Sequence, residues 1–206
     1  MRVEVLFSGF PGKLKTGFME WSAVIFFESG GKKVLFDTGG TGKRMTILPR
    51  LAAVGVKPEE IGMVVFSHFH ADHVYNFQYF PNAEFIMHEA EAAWAEKGED
   101  LIQPPFFYDA VKATGRLRTV KEGEELVPGA TTLHSPGHTP GCLAPLPAPD
   151  NMPKTVLAGD AIKNHTELPT VSPLLRPCST AARHRAAKVG APAVRANPGD
   201  EPLLIV

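Results

Sequence analysis

The hydrophobic pattern at the start of the chain predicts strands joined by tight turns. Short runs of apolar and β-branched residues at 2–7, 21–28 and 33–37 are typical of strands. Ser29-Gly30-Gly31-Lys32 joins the last two, and its glycines can adopt the positive φ that a hairpin turn requires. We therefore expect an N-terminal antiparallel meander.

Helical and strand signals alternate along the rest of the chain. Apolar spacing, and the glycine or proline that ends each segment, predict helices at residues 45–54, 71–79, 89–97 and 180–189. Further strands are predicted at residues 61–66, 84–87, 116–120, 131–134 and 155–158. Alternation of this kind is typical of an α/β domain in which helices cover paired sheets. At 206 residues, one domain spanning 1–206 is expected.

Four side chains that can bind metals stand within six positions, directly after the strand predicted at 61–66. They are His68, His70, Asp72 and His73. In an extended segment residues two apart point the same way, so His68 and His70 can bind one ion. A turn after that pair can direct Asp72 and His73 toward a second ion. The spacing therefore predicts a metalloenzyme with two neighbouring metal sites.

The segment His68-Phe69-His70-Ala71-Asp72-His73 resembles the signature of the metallo-β-lactamase superfamily, and three further segments match landmarks of that family in the same order. They are Val34-Leu35-Phe36-Asp37-Thr38-Gly39, Pro136-Gly137-His138-Thr139-Pro140-Gly141 and Thr155-Val156-Leu157-Ala158-Gly159-Asp160. The resemblance covers most of residues 1–142 and returns at 155–162. It implies a four-layer αββα sandwich with its metals in a groove at one edge of the paired sheets.

The same resemblance implies a ligand set and a cofactor. The first metal would be held by His68, His70 and His138, and the second by Asp72 and His73, with Asp160 bridging both. Two zinc ions are expected, with iron or manganese as the alternatives. Such a pair lowers the pKa of a shared water and presents hydroxide to an electrophilic carbonyl or phosphorus. Asp72 or Asp160 would be the catalytic carboxylate that accepts its proton. Asp37 would either fix the tautomer of a ligating imidazole or bond to the backbone of its own turn.

Two segments depart from the family pattern. The family brings in its last ligand as a histidine in a Pro-Gly-His segment near the C-terminus, where this chain has Pro198-Gly199-Asp200. Asp200 is expected to replace that imidazole at a weaker second site, the competing role being to cap a loop. The other departure is the segment 142–153, which carries four prolines. Because proline cannot donate to a ladder, the hairpin expected there should be shortened, displaced to a sheet edge or partly disordered.

Aromatic residues concentrate around a proline-rich segment, residues 103–108, which is predicted to be a loop. Aromatic side chains fill protein cores more often than they line pockets. Tyr108 is the best candidate in this segment for the wall of a substrate pocket, because loops often cover active sites.

Composition and charge limit the binding partners and cellular locations that we expect for the protein. The formal net charge of −1 gives no reason to invoke nucleic acid or an anionic membrane. No apolar run approaches the roughly 20 residues that span a bilayer, and residues 1–7 read as a strand rather than a leader. Two cysteines, Cys142 and Cys178, are too few for a disulfide framework and suit a reducing compartment. We therefore expect a cytoplasmic enzyme that acts on a small-molecule substrate. A homodimer is compatible with the sequence.

Three reactions are compatible with the motif. The favoured one is hydrolysis of an ester, lactone or thioester by a metal-bound hydroxide. The second is phosphodiester cleavage, which should come with a positively charged approach surface or an added substrate-clamping domain. The third is a mononuclear-iron oxygenase, in which His68 or His70 joins His138 and Asp160 as a two-histidine, one-carboxylate set. A binding module without activity is disfavoured by the retained ligands.

Overall fold

The computed structural model describes residues 1–15, 17–104, 106–150, 155–161 and 203–205. For residues 11–14, 17–20 and 203–205 the description covers the backbone alone. The helix predicted at 180–189, Asp200 and Cys178 lie outside the described residues. None of the helices in the described part of the chain has the length and apolar character that a bilayer crossing requires.

The larger sheet has six strands. They are β1 (Arg2–Phe7), β4 (Val24–Ser29), β5 (Lys32–Phe36), β6 (Met63–Val65), β7 (Glu84–His88) and β8 (Leu117–Val120). In the sheet they lie in the order β1-β4-β5-β6-β7-β8, antiparallel from β1 to β5 and parallel from β5 to β8. The parallel pairs need crossover connections, and these contain the helices. The predicted meander is thus confirmed, with β4 beginning three residues later than its pattern indicates.

The α-helices are short. They are α1 (Ile47–Ala53), α2 (Ala71–Val74), α3 (Glu89–Ala95) and α4 (Phe107–Ala113), with 3-10 turns at 41–43, 58–60, 77–79 and 159–161. The single helix predicted at 71–79 is divided after α2, because the Asn76 side chain donates to three backbone carbonyls of the turn at 38–40. The prediction of a loop at 103–108 is wrong at its end, since α4 begins at Phe107 directly after Phe106 in a left-handed conformation (φ 65°).

The larger sheet separates two hydrophobic layers. Along β4, Val24 and Phe26 face the helices, whereas Ile25 and Phe27 face the other strands. The helical layer includes buried apolar residues of all four α-helices, and the second layer those of β9 to β12. The alternation follows from the period of two in a strand. The predicted α/β sandwich is confirmed.

The remaining strands complete the second layer and a hairpin. They are β2 (Phe10–Leu14), β3 (Gly17–Trp21), β9 (Glu125–Val127), β10 (Ala130–His134), β11 (Leu143–Pro147), β12 (Thr155–Leu157) and β13 (Leu203–Ile205). β11-β10-β9 form a three-stranded sheet, β12 pairs with β13 in parallel, and β2 pairs with β3. β11 lies at the edge of its sheet, as its prolines predict. Pro145 and Pro147 are two apart, so both missing N–H groups fall on one side of the strand.

Candidate metal centre

The candidate residues meet where several strands end. Asp37 directly follows β5, Ser67 to His73 follow β6, and His138 lies in the loop after β10. Asp160 follows β12 in the smaller layer. The backbone N–H of Leu143 donates to the carbonyl of Ser67 at 2.8 Å, which joins the two layers at this point. Carboxyl ends of parallel strands share one edge of a sheet, and ligand sites are commonly built there.

Three imidazoles converge in the first cluster. His68 Nε2 and His138 Nε2 each lie 3.0 Å from His70 Nδ1. Burial, followed by the charge of His138, lowers the pKa of His70 to about 4, and burial also lowers the pKa of His68 well below its usual value. Both rings are therefore neutral near pH 7 and direct nitrogen lone pairs at a common point. A tetrahedral zinc site with Zn–N bonds of about 2.0–2.1 Å separates such nitrogens by about 3.3 Å.

Carboxylates approach the fourth imidazole beside this cluster. His73 Nε2 lies 3.3 Å from Asp160 Oδ1 and 3.5 Å from Asp72 Oδ2. The other oxygen of Asp160 lies 3.3 Å from His138 Nε2, so one carboxylate faces both groups of imidazoles. Burial would lower the pKa of His73, but the charges of Asp37, Asp72 and Asp160 outweigh it and raise that pKa well above its usual value. A cation bound here would displace the proton from Nε2.

Asp37 and Ser67 orient two of these rings. The Asp37 carboxylate accepts from the backbone N–H of Ser67 at 2.7 Å and from its hydroxyl at 2.8 Å. Asp37 Oδ2 also lies 2.7 Å from His73 Nδ1, and Ser67 Oγ lies 3.0 Å from His68 Nδ1. Each Nδ1–H can therefore donate to an oxygen, leaving each Nε2 lone pair for another ligand. Of the two roles expected for Asp37, the contact with an imidazole is the one observed. Its backbone φ of 58° is a conformation that aspartate tolerates better than most residues.

Glu91 is a site residue that the sequence reasoning missed. Its carboxylate is fully buried and accepts from Phe69 N at 2.7 Å, Thr139 Oγ1 at 2.7 Å and Gly141 N at 2.9 Å. Burial raises the pKa of Glu91, and the three donors oppose that shift. These contacts tie the loop that carries His68 and His70 to the loop that carries His138. The available signal was an acidic residue in the apolar stripe of helix α3, which reads equally well as a solvated helix position.

The donor set fits a divalent cation. Two groups of residues bring all their ligand atoms within 4.8 Å of one another: His68, His70 and His138, and His68, His73 and Asp160. His73 Nε2 is buried without a hydrogen bond of good geometry among the described residues. Nitrogen and carboxylate oxygen are the donors that zinc and iron accept. A cation bound at either group would be within reach of all three of its ligand atoms.

Asp200 lies outside the described residues, so its role as a ligand stays a prediction. The nearest described residue is Leu203, which pairs with Thr155 in the parallel register of β12 and β13. Parallel pairing brings the end of β13 at Ile205, beside Leu157, closer along β12 to Asp160 than the end at Leu203.

An apolar cavity of about 720 Å³ opens beside the centre. Asp72 belongs to both, because it lines the cavity and lies 3.5 Å from His73 Nε2. Trp21 and Phe107 contribute aromatic walls. The pocket role predicted for Tyr108 is not observed for this cavity. The Tyr108 ring is buried in the helical layer, 5.7 Å from the ring of Phe69, and its neighbour Phe107 takes the position on the cavity wall.

Comparison with known proteins identifies relatives among lactonases. An N-acyl homoserine lactonase of a Bacillus species is 32% identical over 91 residues, which are 44% of this chain. The match covers 34% of that relative, so the chain spans about a third of its length. The structure of a Bacillus thuringiensis protein with N-decanoyl-L-homoserine at its active site superposes with a TM-score of 0.67 at 18% identity, covering 88% of this chain and 78% of that one.

A dizinc quorum-quenching lactonase in complex with a homoserine product superposes with a TM-score of 0.56 at 22% identity, covering 69% of this chain and 57% of that one. At these identities the structural likeness establishes the fold. The family model of the metallo-beta-lactamase superfamily matches residues 18–194. The shared fold, the clustered histidines and this match over most of the length show that the chain belongs to the metallo-beta-lactamase superfamily.

Proposed function

We propose that the protein is a metal-dependent hydrolase that cleaves an ester, lactone or thioester, with a lactone as the first substrate to test. The observation that carries this proposal is the placement of Asp160, whose two oxygens each lie 3.3 Å from an imidazole nitrogen of a different group. A carboxylate shared in this way suits two neighbouring cations. The lactonases among the relatives support an acyl substrate.

Two zinc ions are the proposed cofactor. His68, His70 and His138 would hold the first, Asp72 and His73 the second, and Asp160 would bridge them. This division is the one that the family resemblance implies, and the distances among the ring nitrogens and the carboxylate oxygens support it. When bound, such ions lower the pKa of a coordinated water toward about 7 and polarise a carbonyl oxygen. Asp200 stays a candidate additional ligand of the second site.

The protein groups would position the substrate and move protons. Asp72 stands between the cavity and His73, so its carboxylate can accept a proton from the attacking water and later return it to the leaving oxygen. Asp160 is the second carboxylate that could take this role. Asp37 and Ser67 orient the rings of His73 and His68 through their contacts with each Nδ1, so that each Nε2 points toward the metal positions. The apolar walls of the cavity exclude water from the acyl part of the substrate.

The single-domain organisation, small-molecule substrate and cytoplasmic location predicted from the sequence remain proposals. The two sheets share one hydrophobic layer in the described residues, which supports one folding unit. A cavity of this volume is in the usual range for small-molecule sites. Dimerisation stays a prediction.

The test combines metal content with a ranking of substrates. Protein purified without added metal is analysed for its elements, and about two equivalents of zinc are expected. Rates are then measured on a lactone, an aryl ester, a thioester and a bis-aryl phosphodiester. Hydrolysis of the acyl substrates by wild type, lost in His68→Ala and His138→Ala together with zinc, supports the proposal. Cleavage of the phosphodiester alone would favour the nuclease-like reaction, and one iron without hydrolysis would favour the oxygenase.

A further inference from the structure

Lys43 is a buried lysine on the wall of the apolar cavity. It ends the 3-10 turn Thr41–Lys43, and only 6% of the residue is exposed. Its aliphatic stem lies over Gly39, where an added Cβ would stand 2.7 Å from Lys43 Cδ. Any side chain at position 39 would therefore displace the lysine, and the positive φ of Gly39 (74°) favours glycine as well. Glycine at position 39 thus leaves the space in which the Lys43 side chain is buried.

The ammonium group has few partners for a buried charge. Its nitrogen donates to the backbone carbonyl of Ser22 and lies 5.2 Å from the centroid of the Phe7 ring. Among the described residues, no carboxylate forms an ion pair with it within 4.0 Å. An ammonium offers three donors, and burial of a lysine is costly unless they are used. Burial lowers the pKa of Lys43 to about 8, against the charges of Asp72 and Asp37, so the group is largely protonated near pH 7.

The negative charge that compensates Lys43 is itself part of the proposed metal centre. Asp72 exerts the strongest opposing influence on the lysine, and its carboxylate also lies 3.5 Å from His73 Nε2. A cation bound beside Asp72 would take up that carboxylate's charge. Lys43 would then keep its spare donors at the cavity wall, and its pKa would fall further unless another negative group came beside it. An anionic group on the ligand would restore the balance, whereas a neutral acceptor would satisfy donors alone.

We propose that Lys43 is a specificity-determining residue that binds an anionic group of the substrate, a carboxylate or a comparable oxyanion, while the apolar part of the substrate fills the cavity. This inference rests on the proposed hydrolase for its reaction and narrows the substrate to an amphipathic acyl compound with a free anionic group. The aromatic walls at Trp21, Tyr75 and Phe107 would contact its apolar part.

Ligand binding tests the proposal without requiring turnover. The metal-loaded protein is titrated with the fluorescent anion anilinonaphthalene sulfonate and with its uncharged parent phenylnaphthylamine. Wild type should bind the anion at least about tenfold more tightly than the parent, the gain expected from a charge-assisted hydrogen bond. Lys43→Met should bring the ratio of the two dissociation constants close to one. Lys43→Gln, which keeps a donor for Ser22, guards against loss of folding in the methionine variant.

The control is Lys121→Met, since the Lys121 side chain is 71% exposed and is not among the described residues lining the cavity. It should leave the binding ratio unchanged. A ratio near one in wild type, or an undiminished ratio in both Lys43 variants, would overturn the proposal.

A kinetic measurement links the inference to the reaction. The 4-nitrophenyl ester of hexanoic acid is compared with the matching monoester of hexanedioic acid, which differs in its terminal carboxylate. The ratio of kcat/KM should favour the carboxylated ester in wild type and fall about tenfold in Lys43→Met. An equal ratio in the two proteins contradicts the assignment. If wild type hydrolyses neither ester, the proposed function fails for such substrates, while the probe titration still decides the role of Lys43.

Discussion

Replacement of Glu91 should separate the two loops that carry the first imidazole cluster. The carboxylate accepts three hydrogen bonds, and none of its donors is another charged group. In Glu91→Ala, Thr139 can turn its hydroxyl to Cys142 Sγ, 3.2 Å away, but the N–H groups of Phe69 and Gly141 lose their acceptor. A buried unsatisfied N–H costs about 1–3 kcal/mol, so the free energy of unfolding should fall by roughly 2–6 kcal/mol.

Glu91→Gln is the sharper change because it preserves size. Glu91 Oε1 accepts from Phe69 N, whereas Oε2 accepts from Gly141 N and from the Thr139 hydroxyl. Whichever position the amide nitrogen takes, it faces one backbone N–H that needs an acceptor. We expect a loss of about 1–3 kcal/mol in stability. Because the loops then hold His68, His70 and His138 less firmly, zinc affinity should fall about 10–100-fold.

The assay is zinc competition against a chromophoric chelator, together with urea unfolding of the metal-free protein. Glu89→Gln is the matched control, since Glu89 lies two residues earlier on α3 with its side chain 53% exposed. The control should bind zinc as wild type does. Wild-type zinc affinity and stability in Glu91→Gln would refute the clamp, and a loss of stability with unchanged affinity would assign Glu91 to folding alone.

Three further predictions concern packing, pH and the second site. Gly141→Ala should lose at least about 2 kcal/mol in urea unfolding, since a Cβ there would stand 2.1 Å from the backbone N of Glu91, whereas Gly62→Ala, with open space around it, should not. For the metal-free protein, the free energy of unfolding should fall as the pH drops from 6.5 to about 4, because His70 binds a proton in the unfolded chain but stays neutral in the folded one. This contribution is on the order of 3 kcal/mol. His70→Asn should therefore weaken the dependence of the free energy of unfolding on pH, as measured by urea unfolding. Asp200→Ala should release one zinc more readily to chelator than wild type, and unaltered affinity at both sites would remove Asp200 from the ligand set.

Most helices and strands, and the metal-ligand candidates at 68–73, could be predicted because each depends on residues that are close together in the sequence. Strands β4 to β7 each contain a short run of apolar residues, and such a run is visible within a window of about six residues. His68, His70, Asp72 and His73 lie within six positions of the sequence, so their spacing alone brings them near one another. Asp37 was also a candidate, because the segment Val34-Leu35-Phe36-Asp37-Thr38-Gly39 resembles a landmark of the family.

Elements that depend on contacts with distant segments could not be predicted from the sequence in the same way. Gln103 to Tyr108 was predicted to be a loop from its prolines, yet tertiary packing of apolar side chains forms α4 immediately after them. β11 retains its ladder despite Pro145 and Pro147, because β10 pairs with one side of the strand and the prolines need no partner on the other. Both outcomes depend on which distant segment packs against or pairs with the element, and local propensity carries no information about that segment.

The sequence by itself determined the superfamily, the alternating layers and the residue types of the metal centre, since each is written in short motifs or simple periods. Only the tertiary structure decided that Glu91 joins two ligand loops 70 positions apart at their histidines, His68 and His138. It likewise placed Lys43 in the wall of an apolar cavity beside Asp72. The physical reason is that burial and the pairing of charges are set by the atoms that surround a side chain, and those atoms come from segments far away in the chain.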